Sequence, residues 1–313
     1  MKRIHTIQQF AIAAILAICG TVGVHAQESD LKTLQTRQDS QGWEAVGRLD
    51  IRGKGFCTAA LIRDRLILTA AHCLYDVDGS VIAADRFSFL AGLRDGQAQA
   101  SRAVTRAVAH PDYDHSSNAA NTSEVALDIA VLELDRPIRN SRILPYQIAQ
   151  RPITGDEVGV VSYGRGREDA ASLQQVCNVL GRQTGVIVMT CDVEYGSSGS
   201  PVFMVNDGQT RIASVVSAMA LVNGQKVSLG TSLEGPLNAL LSHFATLGPA
   251  RPGGTQRLIN LQDRNDTGAK FVRPEPPLES GKDRSHIMFI GMPMMGPDEP
   301  ACPVWEGYTI VIA

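Results

Sequence analysis

Short apolar runs, each bounded by turn residues, dominate the chain from about residue 45 onward. Runs of this length that are rich in Val, Ile, Leu and aromatic residues predict β-strands. They fall into two series of six, at 45–51, 58–62, 66–69, 87–93, 103–109 and 129–134, and at 157–163, 176–182, 185–192, 201–205, 212–218 and 226–230. Strands at this spacing, without long helices between them, predict two antiparallel barrels or sandwiches.

The pattern changes after the second series. Apolar residues recur at helical intervals over 232–247, and Pro236 lies early, where a helix tolerates proline, so we predict a helix that closes the globular unit. Residues 249–313 hold nine of the 15 prolines and four of the eight methionines, which sets this C-terminal extension apart. We expect an appendage packed on the main body or a partly ordered tail, with possible strands at 286–291 and 308–313.

The N-terminus has the pattern of a secretory signal peptide over residues 1–26. Lys2 and Arg3 precede an apolar stretch at 10–20, and Ala26 ends a plausible cleavage site. This stretch is too short to span a bilayer comfortably, and no later segment reaches the ~18 apolar residues that a spanning helix needs. We therefore expect an exported protein, secreted or periplasmic, without a stable membrane span. The polar residues 27–42 predict a linker or short pro-segment.

Composition narrows the possible function classes. The 44% of hydrophobic residues excludes general disorder, and a net charge of −3 gives no electrostatic case for binding nucleic acid. In an oxidising compartment, the five cysteines beyond the signal peptide favour two disulfides and one unpaired thiol. They are Cys57, Cys73, Cys177, Cys191 and Cys302. Metal binding is the alternative, but CxxC or clustered Cys/His spacing is absent, so we expect neither metal nor cofactor.

Three local motifs carry candidate chemistry. His72 ends an apolar run next to Cys73, Asp128 interrupts the apolar run ALDIAVL, and Ser198 lies in the glycine-flanked segment GSSGSP. Each has an ordinary explanation when taken alone: a hydrogen-bonded buried histidine, a solvent-exposed aspartate at a sheet end, and a polar loop. Together they supply a base, an orienting carboxylate and a nucleophile in one of the chain orders of the Ser-His-Asp arrangement.

With these motifs, the sequence resembles the trypsin/chymotrypsin-like serine peptidases. The resemblance covers about residues 43–247, roughly two-thirds of the chain, and GSSGSP preceded by Cys191-Asp192 resembles the bacterial branch. The matching segments are CTAALI at 57–62, LTAAHC at 68–73, VAHPDY at 108–113, DIAVL at 128–132, GSSGSP at 196–201 and VS at 216–217.

The resemblance implies an all-β fold of two antiparallel six-stranded barrels with a C-terminal helix, and a peptidase domain over residues 43–248 followed by the extension 249–313. His72 would accept the proton of Ser198, Asp128 would orient His72, and the backbone N–H groups of Gly196 and Ser198 would form the oxyanion hole. His110 matches a structural histidine of the family, and His115 has no matched role and is expected on the solvated surface.

The resemblance also suggests how the cysteines pair. Cys57 and Cys73 match the family's bridge beside the catalytic histidine. Cys177 and Cys191 flank a turn region and suit a hairpin bridge near Ser198. Cys302 has no visible partner.

Two departures from the family pattern concern activation and specificity. Ser197 stands where digestive peptidases carry an aspartate that binds the newly freed N-terminus, so activation by N-terminal insertion is not expected. We assign Asp192, Ser217 and Met219 to the substrate pocket. Asp192 is either a pocket acid that favours Lys or Arg, or a brace for the site loop. Met219 replaces a glycine and narrows the pocket, and Val216 replaces the histidine of glutamate-specific relatives.

The sequence therefore predicts an exported serine endopeptidase that acts on protein or peptide substrates, of undetermined oligomeric state. The alternative is a catalytically silent homologue that acts as a binding module, because a fold can outlive its chemistry. An α/β-hydrolase esterase would need the order Ser-Asp-His and alternating helices, and the chain has neither.

Overall fold

The computed structural model describes residues 29–115, 122–206, 208–222, 224–248 and 309–312, and shows a fold made mostly of strands. The first barrel is built from β2 (Val46–Ile51), β3 (Gly55–Arg63), β4 (Leu66–Thr69), β5 (Phe87–Ala91), β6 (Ala100–Ala109) and β7 (Ala130–Leu134), after a short β1 (Lys32–Thr33). The second sheet contains β8 (Gln147–Ile148), β9 (Glu157–Gly164), β10 (Arg167–Gln183), β11 (Val186–Met189), β12 (Pro201–Asn206), β13 (Gln209–Val222), β14 (Gln225–Ser232) and β15 (Thr309–Ile312).

The first barrel is closed, in the strand order β2-β3-β4-β7-β6-β5. Every strand pair in it is antiparallel. Closure removes free sheet edges and lets the inward side chains form a packed core. Fully buried members of this core include Leu49, Leu61, Leu68, Phe89 and Leu132.

The second sheet also closes into a ring of six antiparallel strands. β9 pairs with both β12 and β10, and the order continues through β11, β14 and β13 back to β12. Three short strands add to this ring: β1 pairs with β10, while β8 and β15 pair with β13. The predicted two-barrel architecture is confirmed, with these additional strands and with a parallel β8–β13 pair that the sequence pattern did not predict.

Helices are few among the described residues. The four-residue α1 (Thr122–Val125) precedes β7, and α2 (Pro236–Thr246) follows β14 with Pro236 in its first turn. Neither α1 nor α2 has the length and apolar character needed to cross a membrane, and the same holds for every other helix in the described part of the chain. The predicted C-terminal helix is therefore present, and it begins at Pro236 rather than at residue 232.

The segment before the first barrel differs from the prediction of a linker over residues 27–42. β1 pairs with β10 at Leu173 and Ser172, and Leu34 is only 3% exposed. The hydroxyl of Tyr146 donates to the carbonyl of Gly42 at 2.8 Å. The described residues 29–42 therefore pack on the folded body, and the one buried leucine among polar neighbours explains why no periodicity revealed the strand. Residues 27 and 28, the predicted signal peptide, the run 286–291 and Cys302 lie outside the described residues.

Arg106 fastens α2 to the first barrel. Its guanidinium forms an ion pair with Glu133 at 3.0 Å and lies 3.5 Å from the ring centroid of Phe244. It also donates to the carbonyl of Gly248, just beyond the helix. The Arg106 side chain is only 7% exposed, so this charge is largely removed from water and depends on these partners.

We predict that Arg106→Leu lowers the free energy of unfolding by about 3 kcal/mol, because it leaves Glu133 without its nearer partner. Urea denaturation followed by circular dichroism measures this loss. The double variant Arg106→Leu/Glu133→Leu is expected to lose less than the sum of the two single variants, because no unpaired charge remains. Additive losses would contradict this account.

Candidate active site

His72 lies where β4 ends at the interface between the barrels. A short 3₁₀ helix, Ala71–Leu74, follows the strand and carries the imidazole, which belongs to a residue that is 7% exposed. Cys73 forms a disulfide with Cys57 of β3, with a sequence separation of 16. The covalent bond next to His72 therefore attaches this helix to the neighbouring strand.

Asp128 precedes β7 and is 2% exposed. Its carboxylate accepts hydrogen bonds from the backbone N–H of His72 at 2.8 Å, from the ring Nδ1 of His72 at 2.7 Å and from the Ser217 hydroxyl at 2.5 Å. Burial acts to raise the pKa of Asp128, but the charge and hydrogen bonds of His72, with the Ser217 hydroxyl, outweigh it and lower the pKa. An ionised carboxylate facing Nδ1 places a proton there and leaves Nε2 of a neutral ring as a base.

The Ser198 loop is tied to both barrels through its backbone. The carbonyl of Ser198 accepts a hydrogen bond from the N–H of Thr58 in β3 at 2.8 Å. On the other side, the N–H of Gly199 donates to the carbonyl of Val216 at 2.8 Å, and the N–H of Val216 donates to Ser200 at 2.9 Å. Ser198 is 1% exposed, so this loop forms part of the junction between barrels.

Gly199 shows how closely the loop approaches His72. Its φ is +80°, and a Cβ built on it would lie 2.0 Å from Thr69 Oγ1 and 2.9 Å from the backbone nitrogen of Ala70. Only glycine fits such a position. Because Ala70 lies two residues before His72, and Val216 one residue before Ser217, the loop packs against the two segments that carry His72 and the partner of Asp128.

The peptides around Ser198 have defined orientations. The carbonyl of Tyr195 accepts from the N–H of Arg165 at 2.8 Å, and the carbonyl of Ser197 accepts from the N–H of Ser200 at 3.0 Å. In a planar trans peptide the N–H points away from the carbonyl of the preceding residue. The N–H groups of Gly196 and Ser198, the predicted oxyanion-hole donors, therefore point away from these two carbonyl contacts.

Arg167 supports the Ser198 loop, although it belongs to none of the sequence motifs. Its guanidinium donates to the Ser197 hydroxyl oxygen at 3.0 Å and to the carbonyl of Ser162 at 2.6 Å. The Ser197 oxygen also accepts from the N–H of Glu194 at 3.1 Å. Burial lowers the pKa of Arg167, although the nearby Asp192 and Glu194 act to raise it. The half-buried guanidinium of Arg167 thus contacts the hydroxyl of Ser197, the residue that stands where digestive relatives carry an aspartate.

The three predicted pocket residues occupy different environments. Ser217 is 1% exposed and its hydroxyl is used by Asp128. Asp192 is exposed, and its carboxylate contacts Lys226 Nζ at 3.0 Å. Met219 is half-buried and packs against the core cluster of the second barrel. The Lys226 contact favours Asp192 as a brace for the loop rather than as a pocket acid.

Lys226 connects strand β14 to the loop segment that precedes Ser198. Its ammonium contacts Asp192 and, at 2.6 Å, Glu194. Partial burial acts to lower the pKa of Lys226, but the hydrogen bonds that it donates to Glu194 and Asp192 raise the pKa overall. The backbone N–H of Asp192 also donates to Gln174 at 2.7 Å. These contacts hold the segment that leads to the Ser198 loop.

The described residues contain a second disulfide and one cluster of cysteine and histidine side chains. Cys177 and Cys191 are bonded and pack in the core of the second barrel. Donor atoms of Cys57, His72 and Cys73 lie within 4.8 Å of one another. The two sulfurs of that cluster share a disulfide, however, so they are not the thiolates that a metal such as zinc requires.

Two further histidines lie near the first barrel. His110 is 4% exposed, and burial lowers its pKa, as befits a structural residue. His115 was expected on the solvated surface, but its ring stacks on that of Tyr75 at 4.5 Å and it is half-buried. Burial and, to a lesser extent, the nearby imidazole of His72 lower the pKa of His115. Sequence spacing gave no sign of this aromatic contact.

Three proteins of known name are similar to this chain in sequence. Serine protease SP24D of Anopheles gambiae is 28% identical over 176 residues, which cover 50% of this chain and 61% of the relative. Coagulation factor IX of Oryctolagus cuniculus is 29% identical over 113 residues, 36% of this chain and 38% of the relative. Transmembrane protease serine 9 of Rattus norvegicus is 32% identical over 135 residues, 41% of this chain and 12% of the relative. The chain thus spans less than two thirds of each of these relatives.

A solved structure shows which fold the chain shares, and a family model shows which family it belongs to. A structure of Glu endopeptidase in complex with MPD matches with a TM-score of 0.53 at 23% identity, covering 65% of this chain and 91% of that chain. This likeness shows a common fold. Residues 34–228, more than half of the chain, match the family model of trypsin. The chain therefore belongs to the trypsin family.

Proposed function

We propose that this chain is an exported serine endopeptidase that hydrolyses peptide bonds of proteins or peptides through His72, Asp128 and Ser198. The observation that carries the proposal is the buried carboxylate of Asp128, which orients His72 from one side and is bound by Ser217 of the second barrel on the other. The backbone of the Ser198 loop is bonded to Val216, the residue preceding Ser217, which supports a position of Ser198 near the same junction.

The reaction follows from this geometry. His72 Nε2 takes the hydroxyl proton of Ser198 while the oxygen attacks the substrate carbonyl carbon. The N–H groups of Gly196 and Ser198 bind the resulting oxyanion, an interaction worth about 3–4 kcal/mol per donor. His72 then protonates the leaving amine, and an acyl-enzyme on Ser198 remains. Water attacks it with His72 again as the base, which restores Ser198 and releases the acid product.

Export is supported by two features of the chain. Residues 1–26 have the signal-peptide pattern, and the two disulfides Cys57–Cys73 and Cys177–Cys191 suit an oxidising compartment. We therefore propose a secreted or periplasmic protein. We also propose that its peptidase domain starts earlier than residue 43, because β1 and Leu34 belong to the folded body.

Replacement of the nucleophile tests the proposal. Ser198→Ala is expected to reduce kcat by about 10⁴-fold or more and to abolish covalent labelling by a fluorophosphonate, because it removes the proposed nucleophile. Turnover of a peptide library and mass spectrometry of the labelled protein measure the two effects.

Ser200→Ala is the matched control, since Ser200 is buried in the same loop two residues away and is not assigned a catalytic role. It should keep both labelling and turnover. A folded wild-type protein that neither reacts with the probe nor cleaves any peptide would instead support the alternative, a catalytically silent homologue that acts as a binding module.

Asp128→Asn is expected to lower kcat by about 10⁴-fold, because an amide does not hold the required tautomer of His72. It also changes the pH dependence of stability. The folded pKa of Asp128 is lowered from 3.8, so its ionisation stabilises the fold above that pH, and this contribution is lost as the pH falls through the folded pKa.

Urea unfolding at several pH values measures the difference between wild type and Asp128→Asn. The difference should be largest near neutral pH and shrink in acid. Asp64→Asn removes the same charge from an exposed position and is expected to change neither kcat nor this profile. A pH-independent difference for Asp128→Asn would argue against an ionised carboxylate in the folded protein.

Met219 supports a preference for small side chains at the cleaved residue. Its side chain packs on the second-barrel cluster next to the site, where related enzymes place glycine. Met219→Gly is expected to raise the ratio of kcat/KM for Phe over Ala esters by about tenfold or more, because it removes bulk from the pocket.

Met204→Gly is the matched control, because Met204 packs against the same cluster from β12. It should lower stability to a similar extent without changing the Phe/Ala ratio. An unchanged ratio in Met219→Gly would remove Met219 from the pocket.

A further inference from the structure

Strand β15 occupies one edge of β13 beside the candidate active site. Its four residues pair antiparallel with β13, from Thr309 opposite Leu221 to Ile312 opposite Ala218. The other edge of this part of β13 is already paired with β14. β15 therefore covers backbone groups that would otherwise form an open sheet edge.

The covered edge leads directly to the triad. Further along the same edge of β13, Val216 exchanges hydrogen bonds with Gly199 and Ser200 of the Ser198 loop. Between these two stretches lies Ser217, which donates to Asp128. Because the pairing is antiparallel, β15 runs towards Ser217, with Ile312 as its described residue nearest the triad.

A peptide substrate needs the same edge. To present a carbonyl to Ser198, an extended peptide must lie beside the loop, and the adjoining edge of β13 offers backbone donors and acceptors in line with it. Addition of a peptide strand to such an edge supplies affinity through main-chain hydrogen bonds. β15 and an extended substrate are therefore mutually exclusive.

The surface next to this edge suits aliphatic peptides. A small cavity of about 40 Å³ is lined mainly by apolar side chains of β11, β13 and β14, namely Val186, Val188, Ala220, Val222 and Leu229. Leu221 remains 52% exposed at the edge. The sequence of β15, Thr-Ile-Val-Ile, consists of β-branched residues, which favour strands.

We propose that β15 is an intramolecular competitor, which occupies the peptide-binding edge of β13 and blocks extended aliphatic peptide substrates until it is displaced. This inference rests on the proposed peptidase function for its consequence in catalysis. Because β15 belongs to the same chain, it competes at an effective concentration that dilution does not lower.

The test uses the full chain with the double substitution Ile310→Pro/Val311→Pro. In an antiparallel pair, adjacent residues alternate in directing their N–H to the partner, so one of these two prolines removes a hydrogen bond to β13. The matched control is Ile310→Val/Val311→Ile, which keeps the backbone donors and the β-branched side chains. A chain that ends at Tyr308 provides a second way to remove the strand.

Binding is measured without turnover, in forms that also carry Ser198→Ala. A fluorescein-labelled peptide Thr-Ile-Val-Ile-Ala is expected to bind the proline variant and the shortened chain at least about tenfold more tightly than wild type or the control. In the corresponding Ser198 forms, KM for aliphatic peptides should fall by a similar factor while kcat is unchanged.

The outcomes separate this inference from the proposed function. Tighter peptide binding without any turnover would uphold the competitor and refute the peptidase. Turnover with the same peptide affinity and the same KM in all forms would overturn the competitor and uphold the peptidase. Equal affinity, or no measurable binding, in every form overturns the competitor whether or not the protein is active.

Discussion

The carboxylate of Asp128 is the constraint on which the site depends. A buried charge is costly unless it is hydrogen-bonded, and Asp128, at 2% exposure, is satisfied by His72 from the first barrel and by Ser217 from the second. These bonds fix where β13 lies relative to the strand end that carries His72. Since Val216 of β13 also holds the Ser198 loop, the position of the nucleophile follows from the same contact. The buried charge of Asp128 thus adds a specific polar contact to the apolar core that the two barrels share.

The Ser198 loop is supported from within the chain. In digestive relatives an aspartate before the nucleophile binds a freed N-terminus, whereas here the neutral Ser197 accepts hydrogen bonds from Arg167 and from the backbone of Glu194. Arg167 lies at the start of β10, so its placement depends on sheet formation and not on a cleavage event. Activation without N-terminal insertion, which we predict from Ser197 and from the lack of an Ile-Val-Gly-Gly-like segment near residue 43, would suit this arrangement.

The sequence predicted much of the architecture because barrel strands carry local signals. All twelve predicted strands of the two series are present, and Cys57–Cys73 and Cys177–Cys191 are bonded. What escaped prediction depends on distant partners. β10 begins at Arg167 rather than at residue 176. Its first half pairs with β1 and β9, and such pairing with distant strands leaves no hydrophobic periodicity in the sequence of this segment. Likewise, the contact of Asp192 with Lys226 joins residues 34 positions apart, and no spacing rule indicates it.

Strand β13 is long enough to contact β14 along one edge and β12, the Ser198 loop and β15 along the other. One edge pairs with β14 from Ser214 to Val222, with a register shift at Ser217, so β13 is held on both sides of Ser217 whatever happens on its other edge. That other edge is divided among β12, the Ser198 loop and β15. Loss of β15 therefore leaves the Ser217–Asp128 bond supported by β14. Occupation of the edge by β15 can change without distorting the triad, which is the condition that a displaceable competitor must meet.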